Sequence, residues 1–139
     1  MISLDAARQM IAKAREKGQE LGLKPLSVVV LDAGGHLLAF EREDGSSPGR
    51  FEIARGKAYG AVMLGMPGSA QMARAEQQAY FMAAVNGAFE GRVVPVPGGV
   101  LIKQDGAVIG AIGVTGDTSD NDALAAVAGV EAAGFEAVA

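Results

Sequence analysis

Pro97-Gly98-Gly99-Val100-Leu101-Ile102-Lys103-Gln104-Asp105-Gly106-Ala107-Val108-Ile109-Gly110-Ala111-Ile112-Gly113-Val114-Thr115-Gly116 reads as a loop feeding a β-hairpin. Asp105-Gly106 between two apolar runs is the strongest short-range hairpin signal in the chain, because Asp-Gly accepts the positive φ angles of a tight two-residue turn. The glycines at 98, 99, 110 and 113 remove side chains where something must approach the backbone closely, either a ligand or a packed helix.

Upstream, the β-branched run Ser27–Asp32, the turn Ala33-Gly34-Gly35 and the run His36–Arg42 form a second hairpin signal. The unbroken apolar segment Val28–Leu31 predicts a central strand covered on both faces. Before it, residues 3–21 place Leu4, Ala7, Ile11, Ala14, Gly18 and Leu21 on one helical stripe, with Ser3 as N-cap and Gly22 just past the C-terminus. Glu43–Gly49 reads as a polar, glycine-rich loop, either mobile or facing a ligand, and a helix from about Arg50 carries Phe51, Ala54, Ala58, Ala61 and Val62 along one face. Met66-Pro67-Gly68 breaks that helix, and Ser69 caps another running to about Ala88. Val93-Val94 predicts a further strand before the hairpin. The last helix is expected over residues 120–133, capped by Ser119 or Asp120, with Leu124, Val127 and Ala128 inward. Strands grouped in hairpins with helices between them predict an α+β, three-layer sandwich around an antiparallel sheet, built as one domain over residues 1–139.

Composition narrows the partners. Half of the 139 residues are hydrophobic and 20% are charged, which leaves little polar surface and predicts self-association. A net charge of −4 with lysines and arginines scattered rather than striped argues against nucleic acid. The chain has no cysteine, so thiolate metal sites, disulfides and cysteine nucleophiles are excluded. No apolar run is long enough for a bilayer and no signal segment is evident, so no membrane partner and a cytoplasmic location are expected.

Among ionisable residues, Lys57 has Ile53, Gly60 and Leu64 as its helical neighbours. Either its stem snorkels along the stripe with the ammonium in water, or it is desolvated and available as a base, a nucleophile or a hook for a carboxylate. Arg42, Glu43 and Asp44 end the second strand before the glycine-rich loop, where Arg42 is suited to grip a carboxylate bidentately or simply to be solvated. His36 is the sole histidine, so any imidazole ligation, including that of haem, falls to it, and otherwise it is a solvated turn residue. A three-histidine metal site is impossible. Asp117, Asp120 and Asp122 read as capping and dipole-complementing residues of the last helix. Gly110-Ala111-Ile112-Gly113 sits inside a strand and lacks the strand-to-helix context of a phosphate loop, and no serine elbow is present.

Taken together, Val30-Leu31-Asp32-Ala33-Gly34-Gly35-His36, Arg42-Glu43-Asp44-Gly45, Lys57-Ala58, Pro97-Gly98-Gly99-Val100, Asp105-Gly106, the segment 110–116 and Asp120-Asn121-Asp122 resemble the GlcG/HbpS family, also described as haem-degrading or PduO C-terminal-like domains. The resemblance spans nearly the whole chain. It implies a profilin-like three-layer sandwich with a five-stranded antiparallel sheet flanked by helices, assembling as dimers up to octamers. It also implies a small-molecule binder, encoded in some members' catabolic operons, with haem as a possible cofactor. By position, the implied pocket gathers Arg42, Asp44, Phe51 and Lys57 with Pro97, Gly98, Gly99 and Thr115. Two functional readings follow beside that of a mere scaffold. One is a binding protein for haem or another planar, anionic or carboxylate ligand. The other is a cofactor-independent enzyme, of lyase, isomerase or hydrolase type, acting on a small metabolite with Lys57 or Asp44 as acid or base and the Gly98-Gly99 amides holding an oxyanion.

Overall fold

The computed structural model describes residues 1–139. The elements run α1 (Leu4–Glu20), β1 (Ser27–Asp32), β2 (Leu37–Arg42), α2 (Arg50–Leu64), α3 (Gly68–Gln77), α4 (Ala79–Ala88), β3 (Gly99–Gln104), β4 (Ala107–Thr115), α5 (Ser119–Ala132) and β5 (Glu136–Val138). The five strands form one antiparallel sheet in the order β2-β1-β4-β3-β5. Asp105 (φ 51°) and Gly106 (φ 79°) make the expected tight turn between β3 and β4.

Alternation along the strands builds two cores. Val28, Val30, Val100, Ile102, Ile112 and Val114 face α1 and α5, whereas Val29, Leu31, Leu101 and Ala111 face α2 and the helices that follow it. Helices on both faces explain why β1 is apolar without interruption. Ser3 caps α1 by accepting from Ala6 N at 3.0 Å, and Gly22 follows its end with φ 68°.

Four local expectations are corrected. Leu4, Leu21 and Leu124 are exposed, and the buried face of α5 is instead Asp122, Ala125, Ala126, Gly129 and Val130. The cause is the close approach of α1: a Cβ on Gly129 would lie 2.5 Å from the Met10 carbonyl oxygen, so only the small-residue face fits there. The segment before the hairpin is two helices rather than one, broken at Gln78 (φ −139°, ψ 66°), with Pro67 and not Ser69 at the start of α3. Val93-Val94 is not a strand, since Val94 N bonds the Gly56 carbonyl of α2 at 3.2 Å, and the fifth strand is the terminal segment Glu136–Val138. Thr118, not Ser119 or Asp120, is the N-cap of α5, accepting from Asn121 N at 3.3 Å.

Candidate functional site

The close approach announced by the glycines of the β3–β4 hairpin is that of α2. A Cβ on Gly113 would lie 2.0 Å from the Ala54 carbonyl oxygen, and one on Gly99 would lie 2.3 Å from that of Lys57. The helix therefore rests backbone-to-backbone on the middle of the sheet, and Pro97, Gly98 and Gly99 are buried beneath it.

This packing seals Lys57, whose side chain is 3% exposed. Its Nζ donates to the Val114 carbonyl at 3.0 Å and to Asp122 Oδ2 at 3.1 Å, so the ammonium does not reach water. Asp122 Oδ1 accepts from Asp117 N at 2.9 Å, which fixes the carboxylate at the start of α5. Burial pushes the Lys57 pKa down and the Asp122 pKa up, toward the neutral pair, while their mutual attraction opposes both shifts. Gly98 lies over the ammonium, where a Cβ would approach Nζ to 2.9 Å. Next to this cluster, Arg50 Nη1 donates to the buried Thr115 Oγ1 at 2.8 Å.

The structure thus brings together Lys57, Pro97, Gly98, Gly99 and Thr115, and adds Asp122 and Arg50. Arg42 and Asp44 stand apart, exposed at the end of β2, with Asp44 on a shallow cleft beside Arg15 and Gln19. Phe51 packs edge-on against Phe40, ring centroids 4.7 Å apart. None of the surface grooves is lined by Lys57.

Asp117 organises the same corner. Its Oδ1 accepts from Thr118 N and Asn121 Nδ2, both at 2.8 Å, and Oδ2 accepts from Lys24 N at 2.9 Å. The Asn121 amide, with those two backbone donors, lowers its pKa to about 2. A carboxylate with a depressed folded pKa contributes stability above its unfolded value, and that contribution is lost as pH falls through about 2. Following the Asp117 carboxyl carbon by NMR should give a midpoint near 2, moving up in Asn121→Ala. A wild-type midpoint near the ordinary 3.8 would contradict the network.

A second constellation lies on the β1–β2 turn. Asp32 Oδ1 accepts from Gly34 N and His36 N, both at 2.9 Å, and these bonds lower its pKa. The same carboxylate faces His36 Nδ1 at 3.2 Å from Oδ1 and 3.3 Å from Oδ2. A carboxylate on Nδ1 favours the tautomer with the proton there and leaves Nε2 as an outward lone pair. The imidazole is 81% exposed and borders a groove of about 320 Å³ lined by Met1, Ile2, Val108 and Ile109. Asp32 and Asp122 were not singled out as working residues in the sequence. The first sits four residues before His36, the second on the buried face of α5.

The arrangement suits haem on chemical grounds at this groove and not at Lys57. Haem iron takes an imidazole nitrogen as axial ligand, and its porphyrin takes apolar walls. His36 offers the nitrogen, Asp32 orients it, and Ile2, Val108 and Ile109 offer the walls. No group of three or more metal-ligating side chains occurs in the chain. No helix is long and apolar enough to cross a membrane.

These features define a helix-flanked antiparallel sandwich with an oriented, exposed histidine. The family model for HbpS-like haem-degrading proteins matches residues 2–131, and the chain belongs to this HbpS-like family. It is 33% identical over 119 residues to protein GlcG of Escherichia coli K12, covering 83% of this chain and 81% of that protein. A solved PduOC:haem complex superposes with a TM-score of 0.85 at 25% identity, covering 96% of this chain and 95% of the other. A double mutant of HbpS from Streptomyces reticuli superposes at 0.79 with 30% identity, covering 93% and 84%.

Proposed function

We propose that this protein binds haem through His36, in the groove bordered by Ile2, Val108 and Ile109. The observation that carries the reading is the Asp32–His36 pair, which points a free imidazole nitrogen out of a rigid turn beside apolar walls. Family membership and the likeness to a PduOC:haem complex support it. Held there by His36, haem would supply an iron centre for ligand and redox chemistry, and Asp32 would set the basicity of the imidazole that holds it. The chain's own contribution is to fix the ring through Asp32 and to offer Ile2, Val108 and Ile109 as apolar contacts beside it.

Self-association belongs to the same proposal. Helix α4 carries no charged residue and buries only Met82, leaving Tyr80, Ala83 and Ala84 toward solvent. Such a face suits a second copy of the chain.

Haemin titrated into the purified protein should give a red-shifted, saturable Soret band. His36→Ala should abolish that shift while leaving the thermal melt unchanged, since the ring is exposed. A wild-type spectrum identical to free haemin, or an unaltered shift in His36→Ala, would overturn the assignment.

A further inference from the structure

We propose that the cleft between α2 and the Gly91–Val94 segment is a second site, which binds a small organic carboxylate bearing a hydroxyl or amine donor. Two arginines, Arg55 and Arg92, border this cleft, whose volume is about 200 Å³. In a chain with sixteen acidic and twelve basic residues, neither of them lies within 4 Å of a carboxylate. No acidic side chain occupies their donors, and of these only the Arg92 Nε is taken, by the Phe89 carbonyl.

The site is held in shape before any ligand arrives. The Arg92 guanidinium lies 4.5 Å over the Tyr59 ring, and its Nε donates to the Phe89 carbonyl at 3.1 Å, so its remaining nitrogens are oriented rather than floppy. Val94 N bonds the Gly56 carbonyl at 3.2 Å and Val93 N bonds Asn86 Oδ1 at 2.9 Å, tying the segment to α2 and α4. Gly56 is what permits the approach, because a Cβ there would lie 2.7 Å from the Arg92 carbonyl oxygen. Arg55, half-buried on α2, borders the same cleft.

Ligand chemistry follows from the lining. A planar, bidentate anion matches a guanidinium fork better than a spherical one does. Glu52, one helical turn before Arg55, also borders the cleft, so a ligand that is anionic throughout would meet a like charge; a hydroxyl or amine donor would satisfy it instead. Ile53 and Val94 provide apolar wall, and the volume lies below the ~300–1,000 Å³ of drug-sized pockets, which limits the ligand to a small metabolite.

Calorimetric titration of the intact protein with malate, succinate and inorganic phosphate tests this. Malate should bind more tightly than succinate, which lacks the hydroxyl, and more tightly than phosphate. Arg55→Gln and Arg92→Gln should each weaken malate binding about tenfold or more, as expected for a lost charge-assisted bidentate contact. Glu52→Gln should narrow the gap between malate and succinate. Arg55→Gln should melt with wild type and Arg92→Gln slightly below it, for loss of the stacking on Tyr59, and haemin binding at the His36 groove should persist in all variants. Absence of malate binding, its retention in the Arg55→Gln/Arg92→Gln double variant, or phosphate binding as tight as malate would overturn the proposal.

Discussion

Lys57→Met should destabilise the protein by about 3–5 kcal/mol, the expected cost of stranding one partner of a buried ion pair. Asp122 is 1% exposed and would keep only the Asp117 backbone donor once the ammonium is gone. For a chain of this length, a loss of that size lowers the melting temperature by about 10 °C or more. The double variant Lys57→Met/Asp122→Asn should regain most of the loss, because the amide retains an acceptor for Asp117 N and leaves no buried charge. The variants also differ in pH dependence. Without its counter-charge, Asp122 in Lys57→Met has its folded pKa raised still further above the unfolded value. A raised folded pKa contributes stability that is present below the unfolded value and lost as pH rises through the folded one. The single variant should therefore gain on wild type as the solution is acidified, and a melting profile against pH reads this directly. A single variant as stable as wild type at neutral pH would show that the pair is solvated, contrary to its burial.

Gly113→Ala should be comparably damaging for a different reason. Its Cβ would sit 2.0 Å from the Ala54 carbonyl oxygen and 3.1 Å from the Ala58 Cβ, both on α2. Neither neighbour is the end of a flexible side chain, so the helix must lift from the sheet and open contacts along Val29, Leu101 and Ala111. Overpacking of this kind costs about 1–3 kcal/mol and more where backbone must move. The matched control is Gly87→Ala in α4, where nothing lies within 4 Å of the added methyl. It should be stabilising by about 0.5–1 kcal/mol, the difference between glycine and alanine within a helix. Chemical denaturation of the two variants side by side separates close packing from propensity, and equal effects at both positions would refute the packing argument.

The two hairpins, the three layers and the antiparallel sheet were legible in the chain because turn chemistry and strand alternation are local signals. Asp105-Gly106 and the Val28–Leu31 run carry them almost alone. Helix faces were less legible. Periodicity favours the face with the larger apolar residues, and in α5 that face holds Leu124, yet α1 comes so near that only Ala125, Ala126 and Gly129 fit between them. The same error hid Asp122, since a residue assigned to a solvated first turn is not sought as the partner of a buried lysine. Lys57 itself stood out correctly as an ionisable group on an apolar stripe, whereas its ion pair depends on a contact 65 residues away. Arg42 and Asp44 read as site residues because they precede a glycine-rich loop, and the structure leaves both exposed there, apart from the buried Lys57. His36 was visible as the sole histidine. Its Asp32 partner, four residues earlier in a turn, was within reach of sequence reasoning through the Asp-x-Gly-Gly-His spacing alone.

Because the chain contains one histidine, incorporating ¹⁵N-histidine labels a single imidazole. Electron–nuclear double resonance of the labelled protein loaded with ferric haem should show a strongly coupled ¹⁵N nucleus from a ring nitrogen bonded to iron, assignable to His36 without mutagenesis. A haem complex whose spectrum contains only porphyrin ¹⁴N couplings would contradict ligation by His36 and, with it, the assignment of the Asp32–His36 groove as the haem site.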